Sequence, residues 1–497
     1  MFGYIKRLYS QFIKIYNIKK QLDFIQLELP RHQSIDDLLP EFEKLKVMIF
    51  DCGSLYVKFL QWYISKLKSN VIDDNTLETQ NTAKFINYFE DIFENCPFHS
   101  LENTKEIFKN SMIDTKLEEY IDITTLKDIA SGSIGQVYYA RRKKDNLEIA
   151  IKVKHPDITT DLENQLELIK LLKFLQSFNY IRKRYNLIFN IDDFLNDIIQ
   201  QCDFRIEAAN NKQFSENFKD SSNVIVFPEI LFQSEDVLVS EYIPGECIDK
   251  LTDIQKYNAT INFVCFFYQM LLVDNFLHGD LHCKNWKVRI QPNVKPQLII
   301  YDCGICFKNI NLEISSDFWF SLCKYDIKKL NETFRKFINF NSIKITDEEI
   351  TDELNKIFND ILKDSVSTSL ILKSVVHFFI QREITVHKFL LNLSILICVI
   401  EEFLKKGDII NRERNNSNSV SMFDIITDNQ LDIITFCEVN KCYPKVSELL
   451  QKELDNKYLE YKQNVVNNDI NENKTNDKQP TLFSTISLSG LTFRPPE

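Results

Sequence analysis

The chain has 497 residues, 44% of them hydrophobic, which is enough for one two-lobed domain with additions or for two or three small domains. Its net charge of −11 excludes broad nucleic-acid binding, which needs a basic footprint, and no nucleic-acid partner is expected. With only 9 Gly and 12 Pro, a turn-rich all-β architecture is disfavoured and helices are favoured.

The 12 Cys are scattered, and Cys303-x-x-Cys306 has no second pair at zinc spacing. Reduced thiols in an intracellular protein, soluble or peripherally attached to a membrane, are the expectation. The most apolar runs, Ile261–Val273 and Phe389–Ile400, are too short to span a bilayer and read as core helices.

In chain order, Met1–Asp23 carries Lys6, Arg7, Lys14, Lys19 and Lys20 against a single acid, Asp23. Phe2, Ile5, Tyr9, Phe12, Ile13 and Tyr16 fall near helical spacing, so a basic amphipathic helix is expected. Packing on the main domain is favoured over a membrane surface, because apolar stripes usually bury inside proteins. Ile35–Lys68 reads as helical and contains Lys58-Phe59-Leu60-Gln61. Asp73–Thr82 reads as a polar loop, and Ala83–Glu94 and Ser100–Lys109 as two further helices.

Strands begin near Asp122. Ala130-Ser131-Gly132-Ser133 forms a small-residue turn, of the kind that lets backbone N–H groups approach phosphates. A charged hairpin turn at Arg141–Asn146 leads into Glu148–Lys154, where Lys152 sits between apolar neighbours. Strand alternation points Lys152 and Lys154 the same way, and the Ala-Ile-Lys context selects Lys152 as the phosphate-contacting lysine. Helices are expected over Asp161–Phe178 and Asp192–Phe218; in the second, Asp203 and Glu207 share a face, and Glu207 is the expected partner of Lys152. Val224–Glu229 and Val237–Glu241 read as strands. The turn that follows, Tyr242-Ile243-Pro244-Gly245, reads as an adenine-binding hinge with Glu241 and Ile243 contributing.

A long core helix over Leu251–Leu277 precedes the most informative stretch, His278-Gly279-Asp280-Leu281-His282-Cys283-Lys284-Asn285, two short strands, and Asp302-Cys303-Gly304. An Asp, an Asn five residues later and an Asp at a strand end match the base and metal ligands of kinase-type phosphoryl transfer. Asp280 is then the base, and Asn285 and Asp302 are the magnesium ligands, since magnesium prefers hard oxygen donors. From Leu312 to about Lys406 the chain reads as helical, Arg412–Ser419 as a loop, and the Asn/Asp/Lys-rich Asn467–Gln479 as disordered.

Together these residues resemble the UbiB-type atypical kinases, the AarF-domain family associated with coenzyme Q, over roughly residues 35–400. Lys58-Phe59-Leu60-Gln61 resembles the family's Lys-x-Gly-Gln signature and Ala130–Ser133 its Ala-rich loop. Gln201-Cys202-Asp203 resembles its Glu-x-Asp motif, and His278–Asn285 with Asp302–Gly304 its catalytic and metal motifs. The resemblance implies an α+β, protein-kinase-like, two-lobed fold with a helical extension over the active site, and use of ATP with Mg2+. It makes Lys58, Gln61, Gln201 and Asp203 regulatory. Three departures, Leu60, Gln201 and the pair Ser131-Gly132, touch the family's inhibitory devices, whereas the nucleotide and metal residues match.

The expected layout is a basic segment at 1–30, a helical extension at 31–120, a small lobe with hinge at 121–245, a helical lobe at 246–460 and a polar tail at 461–497. The expected activity is ATP-dependent phosphoryl transfer or ATP hydrolysis linked to lipid or quinone metabolism. The acceptor is a small molecule, a lipid-linked compound or a protein. The rival readings are an aminoglycoside- or choline-type kinase, suggested by His278–His282, and a nucleotide-binding pseudokinase.

Overall fold

The computed structural model describes residues 2–29, 31, 35–68, 77–93, 95–156, 158, 196, 198–282, 284–291, 294–308, 311–339, 345–364, 368–382, 384–407 and 430–456. Four helices open the chain: α1 (Phe2–Glu28), α2 (Leu39–Phe50), α3 (Ser54–Lys68) and α4 (Leu77–Glu90). Their shared core includes Ile25, Phe42, Leu45, Ile49, Leu60, Phe85 and Phe89. The Phe42 and Phe85 rings meet edge to face at 5.1 Å, a favoured aromatic geometry.

The stretch Ile35–Lys68, expected to be helical, is broken at Asp51–Gly53, where Gly53 has φ 99°, a left-handed conformation that glycine adopts without a Cβ penalty. The expected loop over Asp73–Thr82 is also shorter, because α4 starts at Leu77. Asn81 is held inside by donating to the Leu29 carbonyl at 2.7 Å, so local polarity misread a buried helical position. Helix α1 buries Ile18 and Ile25 against this core, with Leu29 just beyond its end, but leaves Tyr9, Phe12, Ile13 and Tyr16 of the expected stripe exposed.

Helix α5 (Leu101–Ser111) is N-capped by Ser100, whose hydroxyl accepts from the Asn103 N–H, and the short α6 (Leu117–Tyr120) leads into the first sheet. Its strands are β1 (Ile121–Ser131), β2 (Gly135–Arg142), β3 (Glu148–Lys154), β5 (Ile230–Gln233) and β6 (Val237–Glu241), in the order β1-β2-β3-β6-β5. All pairs are antiparallel. Ile149, Ile151 and Val153 point into one core with Phe108, Tyr138, Val237 and Val239, which leaves Lys152 and Lys154 on the other face. Gly135 pairs so tightly that a Cβ there would meet the Val153 carbonyl oxygen at 2.5 Å.

The expected Asp192–Phe218 helix is interrupted. Residues 198–200 are helical, and a new helix, α7 (Phe204–Asn217), starts after Asp203, whose side chain caps its first turn in an extended conformation. Val224–Glu229 is reduced to β4 (Ile225–Val226), and β5 is an additional strand that pairs with β6. The expected helix over Asp161–Phe178, the expected loop at Arg412–Ser419 and the expected disordered segment Asn467–Gln479 lie outside the described residues.

The helical lobe is built on α8 (Asp253–Tyr268), which starts with a Thr252–Gln255 capping box and runs into a wider π turn at Gln269–Asp274. Strands β7 (Leu277–His278), β8 (Trp286–Gln291), β9 (Val294–Ile300) and β10 (Cys306–Phe307) carry the catalytic stretch. Beyond them lie α9 (Leu312–Cys323), α10 (Ile327–Phe334), α11 (Asp347–Asp364), α12 (Thr368–Gln381) and α13 (Lys388–Gly407). A two-stranded ribbon interrupts this expected helical run, with Ile338 paired to Val386. The last named helix is α14 (Gln430–Asn440). Residues Met1–Ser447 form one compact unit, and residues 448–456, the described part of a second, are helical. Among the described residues no helix is long and apolar enough to cross a membrane.

Candidate active site

Helix α7 carries Glu207 beneath the sheet because its apolar side is anchored in aromatic packing. Phe214 lies 4.7 Å from Phe276 and stacks on Phe227 at 5.4 Å. The same cluster holds the chain entering the catalytic stretch, since Phe276 immediately precedes β7. On the other side, Lys152 projects from β3 to meet Glu207 at 2.7 Å and Asp302 at 3.2 Å. Its ammonium also lies 5.1 Å from the Phe204 ring centre, a cation–π contact that the sequence reading missed. Lys154, the other candidate, is bound instead to the Cys202 carbonyl at 3.0 Å and to Asp236.

The electrostatics follow from burial and proximity. Burial weakens the charged form of Lys152, but Asp302 and Glu207 outweigh it and hold the ammonium more firmly protonated than usual. Burial also raises Asp302, yet the ammonium groups of Lys152 and Lys58 and the Gly304 N–H keep its carboxyl well below the ordinary range. Glu207 is the most enclosed of the three, and burial pushes it up to about 7 against the pull of Lys152. Asp302 adopts φ 46°, a left-handed conformation that short polar side chains tolerate best. Gly304 N–H donates to its Oδ1 at 3.2 Å.

The catalytic loop is tied to the metal-side strand through a buried histidine. His278 Nδ1 accepts from the Asp280 N–H at 3.1 Å, and its Nε2 donates to the Tyr301 carbonyl at 3.3 Å. The carbonyl can only accept, so the tautomer with hydrogen on Nε2 is assigned. Asn285 Nδ2 donates to the Asp280 carbonyl at 2.8 Å, which directs the amide oxygen to the other side. Asp280 keeps a partly open carboxylate, with His282 Nε2 3.8 Å away. Asn285 and Asp302 fit magnesium by donor type. Among the described residues no group of three or more His, Cys, Asp or Glu could hold a metal. A metal here would draw its remaining ligands from phosphate and water, as magnesium commonly does.

The hinge is pinned from the helical lobe. Tyr301 hydroxyl donates to the Ile243 carbonyl at 2.8 Å, and a Cβ on Gly245 would meet Lys287 Cβ at 2.7 Å. Glu241 N–H is already bonded to the Glu229 carbonyl at 2.9 Å.

Two expected assignments are corrected. Ala130 and Ser131 belong to strand β1 rather than to the turn, and the Ser131 hydroxyl is buried, donating to the Pro97 carbonyl at 3.3 Å. The phosphate-facing candidates reduce to Gly132 and Ser133. Asp203, expected inside the helix on the same face as Glu207, lies before it. It caps α7 and takes Arg205 in two contacts at 2.8 and 2.7 Å, the guanidinium being the stronger partner for a carboxylate. Lys58 does reach the site electrostatically, through Asp302 and Glu207. Gln201 lies beside the Asp302–Gly304 turn, where a Cβ on Gly304 would be 3.6 Å from its Cγ. Gln61 ties the extension together, donating to the Ile92 carbonyl at 3.1 Å.

Residues 91–334 match the ABC1 atypical kinase-like domain. A probable serine/threonine-protein kinase, abkC, of Dictyostelium discoideum is 30% identical over 48% of this chain and 33% of its own length. A probable protein kinase UbiB of Vibrio cholerae is 27% identical over 55% of this chain and 49% of its own length. The match thus spans no more than about half of either relative. Among solved structures, Rv3197 of Mycobacterium tuberculosis, in complex with erythromycin, aligns over 65% of this chain and 83% of that one at 18% identity, with a TM-score of 0.44. Over residues 91–334 the chain belongs to the UbiB-type atypical kinase family, with a two-lobed, protein-kinase-like fold of small sheet and large helical body behind a helical N-terminal extension.

Proposed function

We propose that this protein is an ATP-dependent phosphotransferase or ATPase of the UbiB type. The observation that carries the reading is the meeting of Lys152 with both Glu207 and Asp302 at 2.7 and 3.2 Å. Glu207 orients Lys152 toward the α- and β-phosphates, the turn at Gly132–Ser133 faces phosphate, and the hinge around Glu241 and Ile243 meets the base. Asp280 takes the proton from the attacking hydroxyl or water. Asn285 and Asp302 hold Mg2+, which when bound neutralises phosphate charge. The barrier is lowered chiefly by positioning and electrostatic complementarity. The acceptor class is a small-molecule, lipid-linked or protein hydroxyl, and the family resemblance favours lipid or quinone metabolism.

Membrane contact at α1 is part of this reading, because Tyr9, Phe12 and Tyr16 are exposed on a helix that also carries Lys14, Lys19 and Lys20. Sedimentation with anionic vesicles should require this helix and weaken in salt. Equal sedimentation after its removal would refute it.

The test of the main reading is thermal unfolding with ATP and magnesium, followed by phosphate release with and without lipid vesicles. A native-state ligand raises the melting temperature. Asp302→Asn should remove the magnesium-dependent part. An unchanged melting curve for folded protein at millimolar ATP and magnesium would overturn the reading.

A further inference from the structure

A second histidine pair lies outside the site just described, where the extension meets the β1–β2 turn. His99 Nδ1 and His155 Nδ1 are 2.7 Å apart, so one nitrogen carries a hydrogen and the other a lone pair. The neighbours decide which. His155 Nε2 lies 3.0 Å from the Gly132 carbonyl, which can only accept, so Nε2 is the donor and Nδ1 accepts from His99. His99 Nε2 then accepts from the Thr104 hydroxyl at 2.9 Å, and Thr104 accepts from the Tyr138 hydroxyl at 2.6 Å. The Tyr138 oxygen accepts from the Gln136 amide, which also brackets the His99 backbone: His99 N–H donates to Gln136 Oε1 at 2.9 Å. The chain of donors is complete and runs in one direction, ending on the Gly132 carbonyl.

That end point matters because a peptide unit is planar and trans. Holding the Gly132 carbonyl toward His155 turns the Ser133 N–H to the opposite side of the turn. Gly132 N–H is itself spent on the Gly135 carbonyl at 3.0 Å. Successive backbone N–H groups are what such a turn offers to phosphate, and glycine at 132 makes the alternative peptide orientation sterically accessible. The chain of donors starts at the Gln136 amide in β2 and passes at its middle through the extension, in Thr104 and His99. Cys96 N–H donates to the Ser131 carbonyl at 2.7 Å, and Thr104 is in α5.

We propose that His155 is a positioning residue that fixes the Gly132–Ser133 peptide with its N–H toward nucleotide phosphate, and that His99 couples this orientation to the docking of the segment Cys96–Thr104. The proposal rests on the turn being the phosphate-facing loop of the function above. It makes the extension and the nucleotide mutually stabilising, since coupling between two sites is reciprocal.

The experiment uses the full chain, calorimetric titration with a non-hydrolysable ATP analogue and magnesium, and hydrogen–deuterium exchange without nucleotide. In His155→Gln the amide nitrogen can replace Nε2 and keep the bond to Gly132. In His155→Asn the amide falls near Nδ1, so it keeps the side toward His99 and loses the turn. Loss of one buried hydrogen bond corresponds to weakening of about five- to tenfold. That loss is expected for Asn, with faster exchange at Gly132–Gly135, whereas Gln should stay close to the parent in both. His99→Ala should loosen Cys96–Thr104 and weaken the nucleotide as well. Equal binding by the Gln and Asn variants, with a parent that binds, would overturn the positioning role. Unchanged affinity in His99→Ala would overturn the coupling. A parent that fails to bind refutes the nucleotide function and the affinity claim with it. Exchange at Gly132–Gly135 then decides by itself whether His155 orders the turn, and equal uptake in parent and His155→Asn refutes that too.

Discussion

Lys152 and Glu207 meet at 2.7 Å between β3 and α7, with Asp302 as a second carboxylate on the same ammonium. Removing one partner of a buried pair typically costs about 3–5 kcal/mol because a charge is left uncompensated. Here Asp302 remains, so Glu207→Gln should cost less than that in a urea titration. Glu207→Gln combined with Asp302→Asn should cost more than the sum of the single changes, because the ammonium is then left without either carboxylate. Additive losses would show that the two carboxylates do not share Lys152.

Asp280 has a partly open carboxylate, and its backbone is fixed by His278 and Asn285. As the base it should be dispensable for binding. Asp280→Asn is expected to lower turnover by about 10²–10⁴-fold, the usual contribution of a general base, with nucleotide affinity nearly unchanged. Single-turnover phosphate release, with contaminating ATPases excluded, checks this. Parental turnover in the variant would remove Asp280 from the role.

The His99 ring is held neutral by burial and by its neighbour His155, which lower its pKa from 6.5 to about 4. The groups facing it are His155, Thr104 and the Gln136–Tyr138 pair. The unfolded chain takes up the proton first as pH falls, so this contribution to stability is complete above pH 6.5 and is lost as pH falls through about 4. Urea midpoints should therefore decline across that window. His99→Gln should flatten the decline, and an identical slope would exclude His99 as its source.

Lys58 faces a site in which Gln201 stands where the family motif has Glu, and Asp203 is already occupied by Arg205. Asp203 is therefore not expected to replace the missing charge. Gln201→Glu should supply it, tighten the extension over the site and lower basal ATP turnover, since a charge-assisted bond is roughly twice as strong as a neutral one. Lys58→Ala should change turnover little in the parent and clearly in the Gln201→Glu background. A double-mutant cycle on ATP hydrolysis measures the coupling, and strictly additive effects would mean that the two residues do not meet.

The sequence alone determined the local elements of the chemistry. Strand alternation placed Lys152 and Lys154 on one face, and the spacing singled out Asp302, which meets Lys152, and the pair Asp280 and Asn285, which are hydrogen-bonded to each other. These are short-range patterns, set by the two-residue strand period and by tight loops, and they survive folding unchanged. The Ala-Ile-Lys context selected Lys152, and the tertiary structure supplies the physical reason, because Asp236 and the Cys202 carbonyl claim Lys154 from elements distant in sequence. It also moved Ser131 out of the phosphate turn, turned Asp203 into a helix cap, and joined His99 to His155. For Ser131 and the two histidines the partner lies 34 and 56 residues away in sequence, and the local pattern carries no information about it. Burial then decides the rest, since an enclosed polar group must take whatever hydrogen-bond partner the packing delivers.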